Sequence, residues 1–95
     1  MKFVALYTLK DNTDQSKIME LVARRATYEF PLGMKLVTEY WTSKQDPTVI
    51  AIYEADDVIP LMLNTTNWSD GFKIDIFPVT EWNEGLEKLQ KALSG

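Results

Sequence analysis

Apolar and polar residues follow two different periods along this chain, and each period predicts one kind of secondary structure. Runs rich in β-branched and aromatic residues predict four strands, at residues 2–9, 34–43, 48–54 and 72–79. Apolar residues at intervals of three and four predict three helices, at residues of about 14–30, 57–67 and 81–93. The predicted order is therefore strand, helix, strand, strand, helix, strand, helix.

Short polar segments between these runs predict where the elements begin and end. Thr13 or Asp14 can cap the first helix, because a short side-chain oxygen accepts a hydrogen bond from a free amide of the first turn. Asp56 and Asp57 offer the same kind of cap to the second helix. Residues 44–47 are too few to join strands two and three except as an antiparallel hairpin.

This order is that of a ferredoxin-like α+β domain, in which a split β-α-β arrangement forms an antiparallel four-stranded sheet. At 95 residues the chain is one domain, because a second core would leave neither half large enough to fold. We expect a core at residues 1–80 and an additional amphipathic helix at residues 81–93. Strands two and four are the predicted edges of the sheet.

Both faces of the predicted sheet are apolar. Phe3, Ala5 and Tyr7 alternate with Val4 and Leu6 in strand one, and strand three repeats this pattern. Two helices cover only one face, and a large apolar patch left open usually marks an interaction surface. We therefore expect a homodimer that packs sheet against sheet, with the last helix adding contacts. The alternative is a monomer in which that helix folds back across its own sheet.

Composition and charge exclude several classes of function. The chain is 45% hydrophobic, 12% aromatic and 25% charged, which is typical of a globular protein. Its net charge of −4 argues against nucleic-acid partners and against binding to anionic membranes. Without cysteine or histidine it has no thiolate, no imidazole base and no Cys/His metal site, so we expect no cofactor and no metal. No segment resembles a signal peptide or a membrane span, which predicts a cytoplasmic location.

One face of the predicted sheet combines small residues with hydroxyl-bearing ones. Small Ala5 and Ala51 lie beside larger polar side chains, which leaves space of the kind found in small-molecule sites. The ligand-binding candidates are Tyr7, Thr38, Tyr40, Tyr53 and Trp68, the last as a residue that closes the mouth of the pocket. The other face is expected to be filled by aliphatic residues together with Val37 and Trp41. The alternative is that these rings simply pack as core.

Three acidic residues lie in or at the end of predicted strands: Glu39, Glu54 and Asp75. A buried carboxylate can act as a general base, whereas exposed charges on edge strands deter unwanted strand pairing. The sequence does not decide between these roles, so we assign no catalytic residue.

Several of these segments resemble the dimeric α+β barrel superfamily. The resemblance covers about residues 1–80 and lies in the strand order, in Tyr40-Trp41, in the segment 53–57 and in Phe77-Pro78-Val79. Within the superfamily the chain is most similar to small stand-alone bacterial and archaeal members described only as a domain of unknown function. The resemblance implies a ferredoxin-like chain that dimerises. Relatives include cofactor-free monooxygenases, muconolactone isomerases, haem-handling enzymes and effector-binding regulatory domains, and some of these use a histidine that this chain lacks.

The functional expectation is a protein that binds a small apolar or aromatic molecule. A cofactor-independent enzyme of the monooxygenase or isomerase type would be one form of it. The alternative is a non-catalytic interaction or regulatory module, in which the sheet face and the last helix serve assembly.

Overall fold

In the structure, a computed structural model that describes residues 1–95, four strands and three helices follow the predicted order. They are β1 (Lys2–Leu9), α1 (Gln15–Ala26), β2 (Met34–Trp41), β3 (Val49–Ala55), α2 (Val58–Trp68), β4 (Phe72–Val79) and α3 (Trp82–Leu93). The sheet is antiparallel and its strand order is β2-β3-β1-β4, so β2 and β4 are the edges as predicted. The chain therefore has an α+β fold consistent with the ferredoxin-like class.

The first two helices begin at aspartates that the sequence singles out. The Asp14 carboxylate accepts a hydrogen bond from the Lys17 amide at 2.8 Å, and Asp57 caps α2 in the same way. The end of α1 differs from the prediction, because the helix stops at Ala26. The chain then turns, so that Tyr28 and Phe30 pack their rings into the core instead of continuing the helix.

The two helices α1 and α2 cover the face of the sheet that carries the small residues. Ala5 and Ala51 are fully buried there, and Tyr7 and Tyr53 are 6% and 2% exposed. The alternate residues of β1 and β3 lie on the other face and are only partly buried: Val4, Leu6, Ile50 and Ile52. The prediction of which face meets the helices is confirmed for these two central strands.

Strand β2 departs from simple alternation. Leu36 pairs with Tyr53, but Thr38 pairs with Ile52, because an irregularity between Leu36 and Thr38 shifts the register by one residue. Since side chains alternate between faces, one extra residue sends every later side chain to the opposite side. The prediction that Thr38 and Tyr40 share a face with the buried tyrosines is therefore wrong. Both lie on the open face, and Trp41 lies on the helix-covered face.

The last helix, α3, stands apart from the rest of the chain. None of its residues is buried, and its apolar stripe is 36–78% exposed at Trp82, Leu86, Leu89 and Leu93. The molecule is correspondingly elongated, with extents of 55 × 28 × 17 Å. The alternative in which this helix folds back across its own sheet is not the arrangement found. None of the three helices is long and apolar enough to cross a bilayer.

Candidate ligand-binding site

A cavity of about 100 Å³ lies between α1 and the covered face of the sheet. Leu21 is the only buried residue of α1, and Ile18, Val22 and Arg25 of the same helix line the cavity with it. The walls of the cavity are mainly apolar and aromatic and include Leu9, Leu21, Phe30, Val49, Trp68 and Phe72. This composition matches that of small-molecule sites, which are mostly hydrophobic with a few placed polar groups.

The inner end of the cavity carries a buried hydrogen-bonded network. The hydroxyls of Tyr7 and Tyr53 lie 2.5 Å apart. The Asn64 side-chain amide donates to the Tyr7 hydroxyl at 2.9 Å, and its carbonyl accepts from the Tyr28 hydroxyl at 2.8 Å. Tyr28 in turn accepts from the Asn67 amide at 3.0 Å. The network joins β1, β3 and α2 and holds both phenols in place at the cavity.

Burial determines the charge state of the two phenols. It raises the pKa of Tyr53 strongly, and the neighbouring Tyr7 hydroxyl adds to that increase. Burial also raises the pKa of Tyr7, although its hydrogen bond with Tyr53 acts in the opposite direction. Both side chains therefore stay protonated and neutral at physiological pH, so each contributes one O–H donor.

The outer end of the cavity is formed by exposed apolar residues beside a charged pair. Ile18, Val22 and Trp41 are 38%, 45% and 56% exposed. The Glu39 carboxylate accepts from the Arg25 guanidinium at 3.1 Å and from the Trp41 indole nitrogen at 2.7 Å. Only 15% of the Glu39 side chain is exposed, so this ion pair is partly shielded from water.

The structure brings together some of the predicted site residues and separates others. Tyr7, Tyr53 and Trp68 all line the cavity. Thr38 and Tyr40 pair with residues of the open face and lie on the far side of the sheet from it. Trp68 is 6% exposed, so it belongs to the wall of the cavity and does not close its mouth.

Sequence reasoning missed Asn64, which is 1% exposed and carries the link between Tyr7 and Tyr28. A pattern could have indicated it, because Asn64 lies three residues after Leu61 and four before Trp68, on the buried stripe of α2. A polar residue at such a position needs hydrogen-bond partners in the core.

The candidate acids have different environments. Glu39 lies at the cavity, where Arg25 and Trp41 engage its carboxylate. Asp75 pairs with Leu6 on the open face, and Glu54 is exposed on that same face. No group of three or more acidic residues lies close enough together to hold a metal ion.

The fold and the cavity define a small α+β protein with an apolar pocket between helix and sheet. Residues 1–93 match the family model of DUF3303, a domain of unknown function. Because this match spans almost the entire chain, the protein belongs to that family. No curated protein and no solved structure matches the chain.

Proposed function

We propose that this protein binds a small apolar or aromatic molecule in the cavity between α1 and the sheet. The observation that carries the proposal is an aromatic-walled space of about 100 Å³ with two fixed phenols at its inner end. An enclosed apolar cavity of roughly 150 Å³ accepts benzene; the space here is smaller but open at its outer end, so it suits a ligand of about one ring that stays partly exposed.

The residues at the cavity support binding more directly than catalysis. The chain has neither histidine nor cysteine, and the Glu39 carboxylate already accepts hydrogen bonds from Arg25 and Trp41. The rings of Tyr7 and Tyr53 line the cavity, while their hydroxyls are bonded to each other and to Asn64, so a bound molecule would meet an apolar aromatic wall at the inner end. A cofactor-independent reaction of the monooxygenase or isomerase type would use the same cavity and the same pair.

Thermal unfolding in the presence of one-ring probes tests the proposal. Toluene at about 100 times its dissociation constant is expected to stabilise the protein by roughly 2.7 kcal/mol. Val22→Trp places an indole at the cavity and should abolish the shift. Ala23→Trp is the matched control, because the next residue of the same helix does not line the cavity. Equal shifts in both variants, or no shift in the unmodified protein with any one-ring probe, would contradict the proposal.

We also propose that two copies of the chain pack through their open sheet faces, as in a dimeric α+β barrel. That face carries partly exposed aliphatic residues along β1 and β3, and Tyr40 and Phe77 on it are 59% and 40% exposed. Charges of both signs lie on it, with Lys35 opposite Glu54 in the strand register. A twofold interface brings a surface against itself, so a face with both signs can be self-complementary.

Sedimentation at micromolar concentration tests the dimer. The expected particle has twice the 10.9 kDa mass of the chain. Ile52→Lys places a charge in the middle of the open face and should produce a folded monomer. Ala23→Lys, on the exposed surface of α1, should leave the dimer intact. A 10.9 kDa particle for the unmodified protein would refute the dimer.

The second candidate function is a non-catalytic interaction or regulatory module, and the observation that favours it is the exposed apolar stripe of α3. The stripe could serve either the dimer of this chain or the binding of a different protein, and Leu89→Lys distinguishes these two roles. If α3 contributes to the dimer, the substitution should weaken self-association. An unchanged dimer would instead favour α3 as a surface for a different protein.

A further inference from the structure

Two neighbouring arginines of α1 use their guanidinium groups differently. Arg24 engages all of its side-chain nitrogens: Nε and Nη2 donate to Glu20, and Nη1 and Nη2 donate to Asp70. Arg25 engages only Nε, which donates to the two oxygens of Glu39 at 3.1 and 3.2 Å. The terminal nitrogens of Arg25 therefore carry N–H groups that are bonded to no acceptor of the chain.

The guanidinium of Arg25 lies at the rim of the cavity. Ile18, Val22 and Arg25 all line the cavity, and their intervals of four and three residues place them on one face of α1. The Arg25 guanidinium carbon lies 5.2 Å from the centre of the Phe30 ring, which is another wall of the cavity. The Arg25 side chain is 31% exposed, and no buried side-chain nitrogen lacks a partner, so water reaches its terminal nitrogens.

The strand on the opposite side of the rim repeats this order of apolar and charged groups. Trp41 and Glu39 of β2 both line the cavity, and because they are two residues apart they lie on the same face of the strand. The outer end of the cavity therefore combines an apolar part with the partly shielded ion pair of Arg25 and Glu39.

These surroundings determine the orientation of a bound molecule. The hydroxyls of Tyr7 and Tyr53 are bonded to each other and to Asn64, so the inner end of the cavity offers aromatic surface. A polar group of the ligand would lose its hydrogen bonds to water there without replacing them. At the rim the same group exchanges water for the terminal nitrogens of Arg25. The apolar part of a ligand should therefore enter the cavity, and its polar part should stay at the rim.

A carboxylate is the polar group that best matches the unused edge of a guanidinium. The N–H groups of Nη1 and Nη2 are coplanar and can donate to both oxygens of one carboxylate. The nearby Glu39 carboxylate is compatible with such a ligand, because Arg24 lies between two carboxylates in the same helix, those of Glu20 and Asp70. A ligand ammonium group would be repelled by Arg25, and only 15% of the Glu39 side chain is exposed to receive it.

We propose that the natural ligand is an aromatic carboxylic acid of about one ring, whose ring occupies the cavity and whose carboxylate binds the terminal nitrogens of Arg25 at the rim. This inference rests on the proposed function, since it names the chemical class of molecule that the same cavity binds.

Three one-ring probes of similar size test the inference by calorimetric titration of the full chain: phenylacetate, 2-phenylacetamide and 2-phenylethylamine. Phenylacetate and phenylacetamide have nearly the same shape and differ in charge. Charge-assisted hydrogen bonds should make phenylacetate bind about three- to tenfold more tightly than phenylacetamide. The amine should bind most weakly. Added salt should reduce the preference for phenylacetate, because the ion pair that it forms is partly exposed.

Substitutions of the two arginines give an independent readout. Arg25→Met removes the guanidinium at the rim and should abolish the preference for phenylacetate over phenylacetamide. Arg24→Met is the matched control, because the neighbouring guanidinium does not line the cavity, and it should keep the preference. Glu39→Gln removes the negative charge next to Arg25 and should increase the preference. Each variant is judged by the ratio of two affinities, so a general loss of stability does not affect the comparison.

The possible outcomes separate this inference from the proposed function. If neither toluene nor any of the three probes binds the unmodified protein, the cavity is not a site for one-ring molecules and both ideas fail. If toluene binds but phenylacetate binds no more tightly than phenylacetamide, or the amine binds most tightly, the proposed function stands and the carboxylic acid is overturned. Loss of the preference in both arginine variants, or in neither, would also overturn it. The comparison of probes on the unmodified protein decides the matter even if Arg25→Met does not fold.

Discussion

The substitution Leu21→Ala tests the packing that creates the cavity. Leu21 is 3% exposed and is the only buried residue of α1. Its two methyl groups lie against Gly71, at a position where an added Cβ would come within 2.7 Å of either. Leu21 is therefore the one buried apolar contact of α1, beside the Arg25–Glu39 and Arg24–Asp70 ion pairs, and its truncation should weaken the whole domain.

The expected loss follows from the atoms removed. Leu→Ala deletes three buried carbons, and at about 0.8 kcal/mol per carbon their transfer to water accounts for about 2.4 kcal/mol. Volume that remains empty adds about 24 cal/mol per Å³, or about 0.7 kcal/mol for an unfilled space of roughly 30 Å³. The free energy of unfolding should therefore fall by about 3 kcal/mol, a large part of the roughly 5–15 kcal/mol typical of a domain.

Urea unfolding followed by circular dichroism measures this loss. Val22→Ala is the matched control, because it truncates the next residue of the same helix, which is 45% exposed. The control should lose less than about 1 kcal/mol. Both variants must be compared at one protomer concentration, because self-association would stabilise the folded state. Equal losses in the two variants would refute the conclusion that Leu21 anchors α1.

Two further predictions concern polar contacts. Asn64→Ala should lower the free energy of unfolding by about 2 kcal/mol, because it leaves the Tyr28 hydroxyl and the Tyr7 pair without a buried partner. Asn67 lies on the exposed side of the same network, so Asn67→Ala should lower the free energy of unfolding by less than about 1 kcal/mol in the same urea assay. A larger loss for Asn67→Ala than for Asn64→Ala would contradict this ranking. The Arg24 guanidinium lowers the pKa of the Asp70 carboxyl in the folded protein. The stabilisation from this ion pair is therefore complete at a pH above the ordinary carboxyl pKa of about 3.9. It disappears as the pH falls through the lowered pKa of the folded state. Because Asp70 is 46% exposed, that contribution is at most about 1 kcal/mol, and Asp70→Asn should flatten the acid side of the stability curve. An unchanged acid dependence would show that this ion pair does not contribute.

Local sequence patterns were sufficient to predict much of this fold. The central strands β1 and β3 alternate without interruption, so the contrast between Ala5 and Val4 identifies the face that the helices cover. Asp14 and Asp57 cap their helices through bonds that span three residues or fewer. Periodicity and capping are properties of short segments, and they can be recognised wherever no distant residue competes with them.

Prediction was wrong where distant residues decide the outcome. The end of α1 was placed too late, because no local breaker precedes Pro31 and only the ring contacts of Tyr28 and Phe30 draw the chain out of the helix. Those contacts are with Trp68 and Tyr53, which are far away in sequence and become neighbours only when the sheet has formed.

The candidate site shows why its polar residues were the hardest to place. Simple alternation in β2 puts Glu39 on the same face as Lys35 and Val37, opposite the face of the buried tyrosines. An unpaired carboxylate is expected on that open face. The register shift reverses this and carries Glu39 to the helix-covered face. A carboxylate with only 15% of its side chain exposed is acceptable there because Arg25 approaches it from α1 and the Trp41 indole donates to it. Because the partner that makes this placement possible lies on another element, the apolar pattern of β2 alone could not have revealed it.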